Sequence, residues 1–144
     1  MRIVVDTNIV FSAILNSNSK IGRVLLQPKS RFNFYSTDQL LQEIELHKQK
    51  IKTISKYSDS ELDRIIVLIT SNIRFINVRL ISKEAYKLAE SMTKNVDIDD
   101  TEFVALTQHI SGKLWSGDKE LQNGLKKLGW NKFISTNELF SSKI

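Results

Sequence analysis

Ile3, Val4 and Val5 are β-branched and apolar at three successive positions, and the run stops at the carboxylate of Asp6. A strand with one wet face alternates apolar and polar residues, because successive side chains leave it on opposite sides. An unbroken apolar run is instead the pattern of a parallel strand covered on both faces. The chain must therefore supply a layer on each side of its first strand, and that strand belongs inside a sheet, away from its edges.

The rest of the chain carries the material for those layers. Residues 32–36, 75–78, 113–116 and 132–135 have strand character. Helical patterns fill the intervals at residues 8–15, 21–27, 37–52, 60–72, 83–92, 100–110 and 119–128, the clearest of them marked by Leu121, Leu125 and Leu128. Alternation of this kind predicts an α/β fold: three layers, α/β/α, around a mainly parallel central sheet of four or five strands with right-handed crossovers. In such sheets ligands bind beyond the carboxyl ends of the strands.

A chain of 144 residues, 41% hydrophobic and 26% charged, is sized for one core, so residues 1–144 are expected to form a single domain. Five glycines and one proline, Pro28, leave no stretch that reads as a linker. The longest apolar run, residues 65–69, is far short of the roughly 20 residues a membrane span needs. Near the start the apolar run Ile3 to Val5 is cut by Asp6, so no signal-peptide core is expected and the protein is expected to be cytosolic. The absence of cysteine fits that compartment and excludes disulfides, thiolate nucleophiles and Cys-ligated zinc. The formal charge is +5, with Lys48, Lys50, Lys52 and Lys56 crowded in one segment and Asp97, Asp99 and Asp100 in another. An acidic pocket on a basic surface suits a metal ion together with a phosphate-bearing ligand.

Asp6 closes the first strand, Asp118 follows the strand ending at Ser116, and Asp100 opens the preceding helix, so all three should meet at one edge of the sheet. Each has an ordinary alternative as a helix cap: Asp6 or Thr7 before the first helix, Asp99 with Glu102 as a capping-box variant, and Asp118 before the leucine-patterned helix. Capping accounts for each position singly and leaves the convergence unexplained. Carboxylates gathered closely repel one another and raise each other's pKa until a cation enters. Glu43 and Glu45 lie about equally far from the buried helix face defined by Leu40, Leu41, Ile44 and Ile51, and periodicity alone does not choose between them.

The segments Val4-Val5-Asp6-Thr7-Asn8, Leu40-Leu41-Gln42-Glu43-Ile44, Asp97-Ile98-Asp99-Asp100-Thr101-Glu102-Phe103-Val104-Ala105-Leu106 and Leu114-Trp115-Ser116-Gly117-Asp118-Lys119-Glu120-Leu121 resemble, in order, the successive motifs of PIN-domain ribonucleases. The resemblance extends from residue 2 to about residue 139. Matched by position, it implies an acidic catalytic and metal-binding site of Asp6, Glu43, Asp100 and Asp118, supported by Asn8 and Ser116, and it selects Glu43 over Glu45. Phe103-Val104-Ala105 fixes the register at Asp100.

The resemblance implies metal-dependent hydrolysis of RNA. An all-oxygen ligand set suits Mg²⁺ or Mn²⁺, with Asp6 and Asp100 holding the ion and Asp118 and Glu43 binding a second ion or orienting the attacking water. Lys48, Lys50 and Lys119 would hold the RNA backbone. Many small members of the family are toxins of bacterial toxin–antitoxin pairs, often dimeric, so RNA, a cognate antitoxin and a second copy of the chain are the expected partners, with no membrane. Two other classes compete: an aspartyl-phosphate enzyme of haloacid-dehalogenase type, disfavoured by Asn8 where that motif has a second Asp, and a catalytically silent binding module of the same fold. His47 and His109 read as structural or solvated, and Trp115, Phe103 and Phe11 as core.

Overall fold

A computed structural model describes residues 1–27, 32–96 and 98–141. Five strands, β1 (Arg2–Val5), β2 (Asn33–Thr37), β3 (Ile73–Ile76), β4 (Lys113–Trp115) and β5 (Phe133–Ile134), form one sheet in the order β3-β2-β1-β4-β5. Every neighbouring pair is parallel. The first strand is central, as its apolar run requires: Ile3, Val4 and Val5 are fully buried.

The two faces of β1 feed two cores. Ile3 and Val5 join Trp115 and the apolar faces of α1 (Thr7–Leu15), α2 (Lys20–Leu25), α3 (Gln39–Leu46), α4 (Lys48–Ser55), α5 (Asp59–Thr70) and α9 (Thr136–Ser141). Val4 joins Leu114 and the apolar faces of α6 (Lys83–Thr93), α7 (Thr101–His109) and α8 (Lys119–Lys127). This is the three-layer α/β/α arrangement, with alternate side chains of each strand serving opposite layers. Among the described residues no helix is long and apolar enough to cross a membrane.

Local differences from the sequence reading have local causes. The helix expected over residues 37–52 is two helices, because Thr37 still belongs to β2 and His47, at φ −101° and ψ 10°, departs from helical geometry between α3 and α4. The third strand begins earlier than residues 75–78: Phe34 to Thr37 of β2 pair with Ile73 to Ile76, so register along the sheet decides the boundary. The short α9, whose Leu139 is fully buried, spans too few residues for periodicity to mark it. Asp97 lies outside the described residues.

Successive strands run from β1 to β2 to β3 toward one edge, and β4 then returns to the other side of β1. The crossover directions therefore diverge between β1 and β4, and a crevice opens beyond their carboxyl ends. Asp6 is the residue after β1, and Asp118 lies three beyond the end of β4.

Candidate active site

A cavity of about 460 Å³ occupies that crevice. Asp6, Glu43, Asp100 and Asp118 all line it, brought from the end of β1, the middle of α3, the turn before α7 and the start of α8. Asn8, Phe11, His47, Asp99, Glu102 and Phe103 complete much of the wall. Six of the lining side chains are carboxylates, and no lysine or arginine is among the described lining residues.

Asp6 is the most enclosed of the group, at 3% exposure. One oxygen caps α1, accepting from Ile9 N at 2.9 Å, so the capping explanation for this residue holds without exhausting it. Burial raises its carboxyl above the ordinary value of 3.8; hydrogen bonds from the Ser116 hydroxyl and the Ile9 and Asn8 amides oppose the rise, and the charge of Asp118 adds to it. Ser116, itself buried, accepts from Asp118 N at 3.1 Å, so one hydroxyl links the two aspartates. Asp118 caps α8, its Oδ1 accepting from Leu121 N at 3.1 Å.

Asp100 behaves differently. A single 3-10 turn, Ile98–Asp100, precedes α7, and Asp100 occupies the cap position without a side-chain capping hydrogen bond. The capping box expected between Asp99 and Glu102 is displaced by that turn, which starts the helix one residue later. Both Asp99 and Glu102 face the cavity instead.

Glu43 lines the cavity from α3, with Leu40 and Ile44 buried on the adjoining helix face. Its Oε2 lies 3.4 Å from His47 Nε2, one helical turn on. His47 also meets Phe11 edge to face, with centroids 5.8 Å apart and planes at 77°. The sequence reading treated both histidines as structural or solvated. His109 does accept from Ser82 N at 3.1 Å through Nδ1, away from the cavity, whereas His47 is part of the wall. Its spacing of four from Glu43 was the available signal.

Glu102 was also missed as a residue of the wall. Burial raises the Glu102 carboxyl and the charge of Asp38 adds to it. Asp38 Oδ1 and the hydroxyl of the fully buried Thr37 lack hydrogen-bond partners among the described residues. Asp38 follows β2 as Asp6 follows β1, and it stands near Glu102 without being among the described residues that line the cavity. Trp115 is core, fully buried with Nε1 donating to Thr136 Oγ1 at 2.9 Å. Phe103 combines core packing with a place in the wall. Lys48 is drawn from the cavity toward α5, its Nζ lying 2.6 Å from Asp63 Oδ1.

The donor set fits a hard divalent cation in kind: carboxylate oxygens, no thiolate, and a buried aspartate whose ionisation a cation would favour. In the arrangement described, no three acidic or histidine side chains are close enough together to hold one ion among the described residues. Uncompensated repulsion among carboxylates opposes a tighter cluster.

No curated protein matches the chain closely enough to count as a relative. The sequence profile of the PIN domain matches residues 4–138, which takes in all four carboxylates, β2 to β5 with the end of β1, and most of both helical layers. The chain belongs to the PIN-domain family.

Proposed function

We propose that this protein is an Mg²⁺- or Mn²⁺-dependent ribonuclease that hydrolyses RNA phosphodiester bonds. PIN domains are nucleases in general and generally use divalent ions, so what is proposed is the RNA substrate, the ion and the residues. The observation that carries the reading is the meeting of Asp6, Glu43, Asp100 and Asp118 in one crevice beyond β1 and β4. Four separate segments contribute, and helix capping at two of them gives no reason for the other two to be there.

Asp6 and Asp100 would hold the ion, with Asp118 and Glu43 orienting the attacking water or holding a second ion. A bound ion supplies a Lewis acid for the scissile phosphate and a more acidic water. The chain's own part is positional. Ser116 donates to Asp6 and receives the Asp118 amide, which keeps these two side chains in register across neighbouring strands. The Ile9 and Asn8 amides fix Asp6 further. With no lysine or arginine among the described lining residues, RNA contact falls to exposed cations outside the wall, Lys50 and Lys119 among them.

A cytosolic toxin of a toxin–antitoxin pair is the biological setting we propose, with a cognate antitoxin and a second copy of the chain as partners. Hydrolysis by water forms a new P–O bond and breaks the bond to the 3′ oxygen, leaving a 5′-phosphate and a 3′-hydroxyl. Sequencing the ends of RNAs cut by the purified protein with Mg²⁺ or Mn²⁺ tests this. Cyclic 2′,3′-phosphate ends formed equally in EDTA would contradict the reading, and RNA binding without cutting would return the silent binding module.

A further inference from the structure

His47 is held from two directions. Its backbone N–H donates to the Glu43 carbonyl and its own carbonyl accepts from Ile51 N, both at 3.0 Å, so the junction of α3 and α4 fixes where the ring starts. The ring then lies edge to face against Phe11, which is itself packed on the core beneath the cavity. Fixed in this way, Nε2 comes 3.4 Å from Glu43 Oε2.

Glu43 needs such a neighbour. Its side chain is 46% exposed, and no other side-chain partner is found for it among the described residues. A glutamate on a helix face loses rotamer freedom when it is ordered, and a mobile carboxylate is a poor fixed group for orienting water or an ion. Two lysines of α4 are committed elsewhere: Lys48 Nζ lies 2.6 Å from Asp63 and Lys52 Nζ 2.7 Å from Asp59, both pairs bridging α4 to α5. Among the described lining residues His47 is left as the one nitrogen base.

We infer that His47 is a positioning residue whose Nε2–H holds the Glu43 carboxylate toward the cavity. The role in turnover rests on the ribonuclease reading; the pairing does not. Either protonation state with a proton on Nε2 supplies the donor.

The test uses His47→Gln, His47→Asn and His47→Leu in the full chain. Glutamine sets an amide near the place of Nε2, whereas asparagine reaches only that of Nδ1. Leucine and asparagine should each lower kcat for RNA cleavage by about tenfold or more while KM moves less than about twofold, the scale seen when a group that orients a metal-site ligand is removed; glutamine should recover most of the loss. A loss confined to KM, or equal rates in all three variants, would overturn the assignment. In metal-free protein, nitrogen-15 spectra of the ring should place a proton on Nε2 and show that resonance shifting in Glu43→Gln. A bare Nε2, or a resonance indifferent to Glu43→Gln, would overturn the pairing. If the wild-type protein cut no RNA at all, the ribonuclease reading would fail and the ring spectra would still decide the pairing.

Discussion

Asp118 faces Asp6 from the carboxyl end of the adjacent parallel strand and opposes its ionisation: burial raises the Asp6 carboxyl, and the charge of Asp118 pushes it further. Ser116 joins them through one hydroxyl. This pair is costly to the folded chain unless a cation comes between its members.

Stability without metal should record that cost. A carboxyl whose pKa is raised on folding binds its proton more tightly in the folded state, so stability falls as pH rises from the ordinary value of 3.8 through the raised one, and the penalty is fully present above it. Asp6→Asn removes the charge and keeps an oxygen to cap Ile9. In EDTA the variant should melt higher than wild type at pH 7, with the advantage shrinking as the pH is lowered toward 3.8. Melts by circular dichroism across that range check it, and an advantage that grows on acidification would have the wrong sign.

Ser116→Ala removes the donor to Asp6 and the acceptor for the Asp118 amide while leaving both carboxylates in place. Partners that orient metal ligands are worth roughly 10–100-fold in metal affinity or activity. We expect a loss of that size in Mn²⁺ affinity, measured by calorimetry. Unchanged affinity would mean the hydroxyl serves the fold alone.

Mg²⁺ or Mn²⁺ should raise the melting temperature, because an ion that binds only the folded chain stabilises it by mass action. At about 100 times its Kd the gain is ~2.7 kcal/mol, roughly 5–10 °C for a domain of this size. EDTA should reverse the shift, and Asp100→Asn should abolish most of it. An equal shift in that variant would place the ion elsewhere.

Two lysines of α4 should separate cleanly. Lys50 is exposed, and Lys50→Ala should weaken RNA binding across sequences and reduce the salt slope of affinity by about one. Lys48, paired with Asp63, should leave the slope alone when replaced by alanine and cost at most about 1 kcal/mol of stability, as surface ion pairs do. Titrations at several salt concentrations distinguish them.

The central strand was legible because Ile3, Val4 and Val5 are apolar on both faces, and the alternation of segments was enough for the three layers. The convergence of Asp6, Asp100 and Asp118 followed from where strands end. Periodicity could not single out Glu43, since a cavity wall and solvent both tolerate a glutamate beside a buried face. His47 was hidden for a related reason: whether a half-exposed ring faces bulk water or a cavity depends on Phe11 from α1, far away in sequence. The end of β2 was obscured by reading Thr37 as helix, when pairing with β3 keeps that residue in the sheet.

The most direct test is RNA cleavage by wild type and Asp6→Asn, each with Mg²⁺, Mn²⁺ and EDTA, alongside RNA titrations. The wild-type protein should cut with either ion and stop in EDTA. Asp6→Asn should lose cutting by about a thousandfold or more, as removal of a central electrostatic group does, while RNA affinity changes little because surface cations supply it. Wild-type rates in the variant, or wild-type cutting that persists in EDTA, would contradict a metal site built on Asp6.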